Sequence, residues 1–225
     1  MNRKLLLGGL LAIIIIGLAG FALTNLSSAP TTDQDQSEVV ATVNGQNITR
    51  QELDSEIKQL QADPTIQIPK VDDVKNYAQF ELNILNQLIN DRLLLTQAEE
   101  SGFVAKNDEI DSQLDLIKSQ FASPALFSSQ LSQFDLTEAD LTKNIERQII
   151  LGQYLDQLAT ENNITVSDEE VKTFFDTQVA SQNPEATLED VALQIETALK
   201  QQKLQVIASN LVETLRTTAE IEILI

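Results

Sequence analysis

The 225-residue chain contains no cysteine and no histidine. Without cysteine there is no disulfide framework, no thiolate nucleophile and no structural zinc site of the usual kind. Without histidine the Ser-His-Asp and Cys-His arrangements fall away, together with the commonest general base near neutral pH and most transition-metal sites. Glycine is scarce too. Gly8, Gly9, Gly17 and Gly20 all lie in one apolar run, which leaves Gly45, Gly102 and Gly152 far apart, so no phosphate-cradling loop of the usual pattern can be built. Bases are outnumbered: 15 Lys+Arg face 34 Asp+Glu, a formal charge of −19. Such a surface repels phosphate backbones and anionic headgroups, which argues against a nucleic-acid partner and favours solubility.

The acids themselves do not make a site. Asp108-Glu109 and Asp168-Glu169-Glu170 fall at expected helix starts, where the macrodipole favours negative charge, and "NDEIDSQLDLI" lacks the glycine of a calcium loop. "NIT" at Asn47 and Asn163 matches a glycosylation acceptor, but the pattern is more simply strand and helix-start chemistry. No catalytic residue, metal ligand or cofactor is assigned, and the chain is not expected to be an enzyme.

What is abundant is apolar side chain, 42% of residues, enough for a sizeable core in one or two domains. Arg3 and Lys4 precede an uncharged run over residues 5–23, which at 1.5 Å per residue reaches roughly 28 Å and nearly matches a bilayer core. Residues 1–26 therefore read as a signal anchor. The charges place the amino terminus in the cytoplasm and the rest outside a bacterial cytoplasmic membrane, in a periplasmic or other extracytoplasmic space. Cleavage after Ala22 or Ala29 stays an alternative, with Pro30 disfavouring the second, although the run is long for a cleaved signal. "LAGF" lacks the cysteine of a lipoprotein signal. Residues 27–38, polar and free of large apolar side chains, read as a tether ahead of a domain over residues 39–225.

That domain opens with "VVATVNGQNIT", a hairpin whose Asn44-Gly45 turn suits two positive φ angles. Thr49 and Glu52 then form a capping box. Helices follow by period over residues 49–62, 71–101, 108–121 and 137–160, the last with Leu141, Ile145, Ile149, Gly152 and Leu155 inward. "SPALFSSQLSQFDL" reads as a short, irregular apolar stretch between them, where short helices joined by serine-rich turns could form a groove wall. A further capped helix begins at Ser167, with Glu170 in the box position, and a long one spans residues 187–218, where the apolar stripe changes phase near Lys200. Only "AEIEILI" at the end alternates like a strand again, with Ile221, Ile223 and Ile225 on one face. A hairpin this small is marginal alone, so this last strand is its expected partner. The fold class is mostly α, with a small antiparallel sheet joining the amino-terminal hairpin to the carboxy-terminal strand, preceded by one transmembrane helix.

"VATVNGQNITRQELD", "ILNQLINDRLLLTQAEESGFVAKNDEID", "VSDEEVKTFFDTQ" and "TLRTTAEIEILI" together resemble the chaperone domain of the SurA, PrsA and PpiD group of extracytoplasmic folding factors. Their order and spacing carry the likeness, over most of residues 39–178 and the last dozen. The resemblance implies a SurA N-terminal-like fold. In that group a parvulin-type prolyl isomerase domain commonly follows the segment similar to "VSDEEVKTFFDTQ", yet here only "VASQNPEATLED" precedes the last helix. Parvulin sites are typically lined by histidine and often cysteine, so isomerase activity is not expected.

Phe121, Leu126, Phe127, Leu131 and Phe134 cluster in the middle of the domain and are the candidate client-binding residues. A moderately apolar, adaptable surface holds many partners weakly, while burial in a core is the commoner fate of such side chains. The resulting expectation is a membrane-anchored, ATP-independent holdase for unfolded or partly folded secreted and envelope proteins. The alternative is an adaptor or assembly factor that holds one specific membrane or envelope partner.

Overall fold

The computed structural model describes residues 38–63, 65–181, 183 and 185–225. Residues 5–23, read as a membrane helix, and the tether up to residue 37 lie outside them. No helix among the described residues is long and apolar enough to cross a membrane. The described chain is mostly helical with one three-stranded antiparallel sheet, and it falls into two compact units.

The first unit comprises residues 38–151 and 214–225 of the described chain. Strand β1 (Val39–Val43) turns through Asn44 (φ 49°) and Gly45 (φ 78°) into β2 (Gln46–Thr49). Both turn residues adopt the left-handed conformation that asparagine and glycine tolerate best. The order is β2-β1-β3, and β3 (Ile221–Ile223) pairs with β1 through Ala41↔Ile223, Thr42↔Glu222 and Val43↔Ile221. The expected union of the chain's two strand segments is therefore present. The register between β1 and β2 slips between Val39 and Ala41, which breaks the alternation, and the consecutive Val40 and Ala41 are both buried.

Helix α1 (Arg50–Ala62) starts at Thr49, whose hydroxyl accepts the Glu52 N–H at 3.2 Å while the Glu52 carboxylate accepts the Thr49 N–H at 2.9 Å. Helix α2 (Val74–Glu100) begins three residues later than the period suggests, because the carboxylate of Asp73 takes the Asn76 side chain at 2.7 Å and Val74 stays exposed. Gly102 ends it at φ 90°. Leu53 and Ile57 of α1 pack with Ile84, Leu85, Ile89 and Leu93 of α2 on the sheet residues Val40, Val43 and Ile48, forming a first core.

A second core is built from α3 (Asn107–Ser119), α4 (Pro124–Gln133) and the start of α5 (Glu138–Glu161). Ile110, Leu114 and Ile117 recur at helical spacing and meet Phe127, Leu131, Leu141 and Ile145. The "SPALFSSQLSQFDL" stretch holds one short helix, α4: Ser123 accepts the Leu126 N–H at 3.3 Å and Pro124 occupies the first turn, a pairing that nucleates a helix. The Asp140 carboxylate accepts the Thr137 N–H at 2.9 Å ahead of α5. The buried stripe of α5 follows Leu141 and Ile145, then drifts to Ile150, Tyr154 and Leu155, leaving Ile149 and Gly152 half-buried.

The second unit comprises residues 152–213 of the described chain. Ser167 and Glu170 form the expected capping box of α6 (Asp168–Phe174), which continues into a π-helical turn at Phe175–Val179. Helix α7 (Leu188–Thr218) follows, and its Lys203 Nζ donates to the Thr165 carbonyl and pairs with Glu170, each at 2.6 Å. The buried residues of α7 pass from Ile195 to Ala208 and Val212, roughly a third of a turn apart around the axis, so the phase change is present in an unbroken helix.

Of β3 only Ile221 packs against the first core; Ile223, Leu224 and Ile225 are exposed, because the strand ends at Ile223 on the edge of the sheet.

Candidate functional site

The five residues singled out as client contacts sit on and around α4, and the structure separates them. Phe127 and Leu131 are 3% and 5% exposed and belong to the second core. The Phe121 ring meets Phe127 edge-on with centroids 5.4 Å apart, and Lys118 Nζ lies 5.7 Å from the centre of the Phe127 ring. Phe121 is half-buried at the margin of that core and Phe134, at the end of α4, is half-buried too, whereas Leu126, one position before Phe127, turns outward and is 51% exposed. Period explains the split: Phe127 and Leu131 are four residues apart on the inner face, and Leu126 lies 100° away.

A second feature was not singled out from the sequence. Helices α1, α2 and α5 line an open cleft of about 520 Å³, with Leu88, Leu95, Leu136 and Ile150 interspersed among charged residues. Glu52 organises it. One carboxylate oxygen caps α1, and the other accepts Arg92 Nη2 at 2.9 Å and Arg147 Nη1 at 3.4 Å. Arg92 also donates to the Asn47 carbonyl at 3.1 Å, and Arg147 to the Asn144 side chain. One carboxylate thus joins three helices.

Two further acids, Asp91 and Glu56, feel the charge of Arg147. Burial pushes the Asp91 carboxyl up to about 7, the charge of Glu56 adds to the rise, and Arg147 offsets only part of it. Burial raises Glu56 as well, again opposed by Arg147. Next to Glu56, Ser55 is 5% exposed and its buried hydroxyl has no hydrogen-bond partner among the described residues. Among the described residues no group of three or more acids converges where a metal ion could sit. The cleft offers mixed polar and apolar contacts rather than a nucleophile with its base.

Little in the sequence marks this cleft. Glu52 was legible as a cap, but its pairing with Arg92 and Arg147 depends on the facing of helices 40 and 95 residues away. The spacing of Glu52 and Glu56, four apart on one helix face, is the single local signal.

The comparisons with known proteins agree with the resemblance drawn from the four quoted segments. The Foldase protein PrsA of Clostridium acetobutylicum is 29% identical over 150 residues, 62% of this chain and 44% of that protein. The Foldase protein PrsA of Clostridium perfringens is 23% identical over 185 residues, 77% of this chain and 52% of that protein. The chain spans about half the length of these curated relatives. The profile described as the SurA-like N-terminal domain matches residues 2–155, more than half of the sequence. The chain therefore belongs to the SurA-like N-terminal domain family.

Proposed function

We propose that this protein is an extracytoplasmic chaperone of the holdase type, anchored to a bacterial cytoplasmic membrane by residues 5–23, which shields unfolded translocated proteins without nucleotide and without isomerase chemistry. The observation that carries the reading is the membership of a family whose matched relatives are named foldases. Physical features support it. Leu116, Leu126, Leu193 and Val206, all large and apolar, are more than half exposed on a strongly acidic chain. Such side chains supply weak, non-directional contact with apolar client segments, and the net charge keeps the loaded complex in solution. The absence of histidine and cysteine supports the lack of isomerase chemistry. In this reading residues 39–225 form the chaperone domain, and clients meet Leu126 together with the accessible parts of Phe121 and Phe134, with Phe127 and Leu131 shaping the surface from beneath.

The test is light scattering of a chemically denatured, aggregation-prone protein diluted into buffer with the full chain held in lipid nanodiscs. Dose-dependent suppression near stoichiometric amounts, with no nucleotide, is the expected result. Folded protein that suppresses nothing would overturn the holdase reading and favour an adaptor for one specific envelope partner.

A further inference from the structure

On α1, Glu52, Ser55, Glu56 and Gln59 recur at the three- and four-residue spacing of one helix face, and all four line the cleft. A face turned towards two other helices is ordinarily apolar. Here it is polar, and an open volume of about 520 Å³ remains beside it. That size lies within the range of about 300–1,000 Å³ common to ligand clefts.

The charges of the cleft are unbalanced. Five carboxylates and three cations line it. Arg92 and Arg147 both bind Glu52, and Lys143 stands beside Asp140. Glu56, Glu99 and Glu146 are left without an ion pair among the described residues. Glu56 is half-buried, and burial raises its carboxyl while Arg147 offsets only part of the rise, so the group is short of positive charge. Glu99 and Glu146 are exposed. A second observation is independent of charge: Ser55 lines the same cleft, and its buried hydroxyl has no hydrogen-bond partner among the described residues. Such a hydroxyl costs stability until an acceptor reaches it.

We propose that the cleft is a second client contact, apart from the α4 surface, and that it takes an extended polypeptide segment carrying a lysine or arginine between apolar residues. The inference rests on the holdase reading for the kind of occupant. The basic side chain pairs with Glu56 and with Glu99 or Glu146, and a backbone carbonyl accepts the Ser55 hydroxyl. Successive side chains of an extended segment point to opposite sides, so a basic residue turned to α1 presents its apolar neighbours to α2 and α5. There Leu95 and Ile150 are buried, and Leu88 and Leu136 half-buried. Because the cleft is open, the client chain can continue beyond it. The same carboxylates repel an acidic segment, which gives this contact a selectivity that a purely apolar surface lacks.

The test uses the full chain in phosphatidylcholine nanodiscs and three short peptides, capped at both ends and carrying an uncharged fluorophore. They share leucine flanks and differ only in a central lysine, norleucine or glutamate. In fluorescence anisotropy titrations at low salt the lysine peptide is expected to bind on the order of tenfold tighter than the glutamate peptide, with norleucine between them. Because the whole chain is acidic, two variants with the same charge change separate the cleft from the overall field. Glu56→Gln/Glu146→Gln should reduce the preference to about twofold, whereas Asp168→Asn/Glu169→Gln, in the second unit, should keep it. If Glu56→Gln does not fold, Glu99→Gln/Glu146→Gln carries the same expectation. Equal affinity for the three peptides, a preference that survives the cleft substitutions, or one that falls equally in both variants overturns the proposal. Failure here is distinguishable from failure of the holdase reading: a chain that suppresses aggregation without the preference keeps that reading and loses the cleft. A chain with the preference that suppresses nothing keeps the cleft as a peptide site and loses the holdase.

Discussion

Asn44 and Glu220 hold opposite ends of the domain together: the Asn44 N–H donates to the Glu220 carbonyl at 2.8 Å, and the Glu220 N–H donates to the Asn44 side-chain oxygen at 2.9 Å. The hairpin turn is thereby the docking point of the last strand. Asn44→Ala removes one of these bonds and puts at φ 49° a residue that tolerates the left-handed conformation less well than asparagine, a loss expected to be about 1–2 kcal/mol. Thermal unfolding checks it, with Asn47→Ala, exposed on the outer strand, as the near-neutral comparison.

Glu52 has two duties, and its substitutions should separate them. Glu52→Gln keeps an acceptor for the Thr49 N–H but discharges the contacts to Arg92 and Arg147; Glu52→Ala loses the cap as well. The alanine variant is expected to lose about 2–3 kcal/mol and the glutamine variant roughly half of that. Denaturant titration of both variants reads the difference.

Asp91 makes stability fall as pH rises. Its folded-state value, about 7, lies above the ordinary 3.8, so between these limits the native chain binds more protons than the unfolded one and loses stability with increasing pH. Asp91→Asn should leave stability at pH 5 nearly unchanged and raise it at pH 8 by on the order of 1–3 kcal/mol. Urea midpoints at the two pH values test this, and a variant weaker than the parent at pH 8 would contradict the assignment.

Leu126 and Phe127 are neighbours with different expected phenotypes. Leu126→Ser should change stability by no more than about 0.5 kcal/mol and weaken suppression of client aggregation. Phe127→Ser empties part of the second core and should cost about 3–5 kcal/mol, so any loss of activity there reports unfolding. Parallel melting and scattering curves distinguish the two.

Local chemistry was legible in the sequence because its partners are three or four residues apart. Asn44-Gly45 specified the turn, Thr49 with Glu52 and Ser167 with Glu170 specified helix starts, and Gly102 specified a stop. The pairing of β3 with β1 was also within reach, since the described chain offers one further alternating segment to complete a hairpin too small to stand alone. Exposure within the short apolar stretches was not legible: in "SPALFSSQLSQFDL" Phe127 and Leu131 are buried while Leu126 is exposed, and Ile223 at the end of β3 and Ile225 beyond it are exposed.

The sequence by itself determined the mostly helical class, the caps, the strand closure and the family, all of which rest on short-range pattern and order. Only the tertiary structure decided which client candidates are core, and that Glu52 meets Arg92 and Arg147 across three helices. The rotational phase with which distant helices face one another sets burial and charge proximity together, and no local pattern encodes that phase.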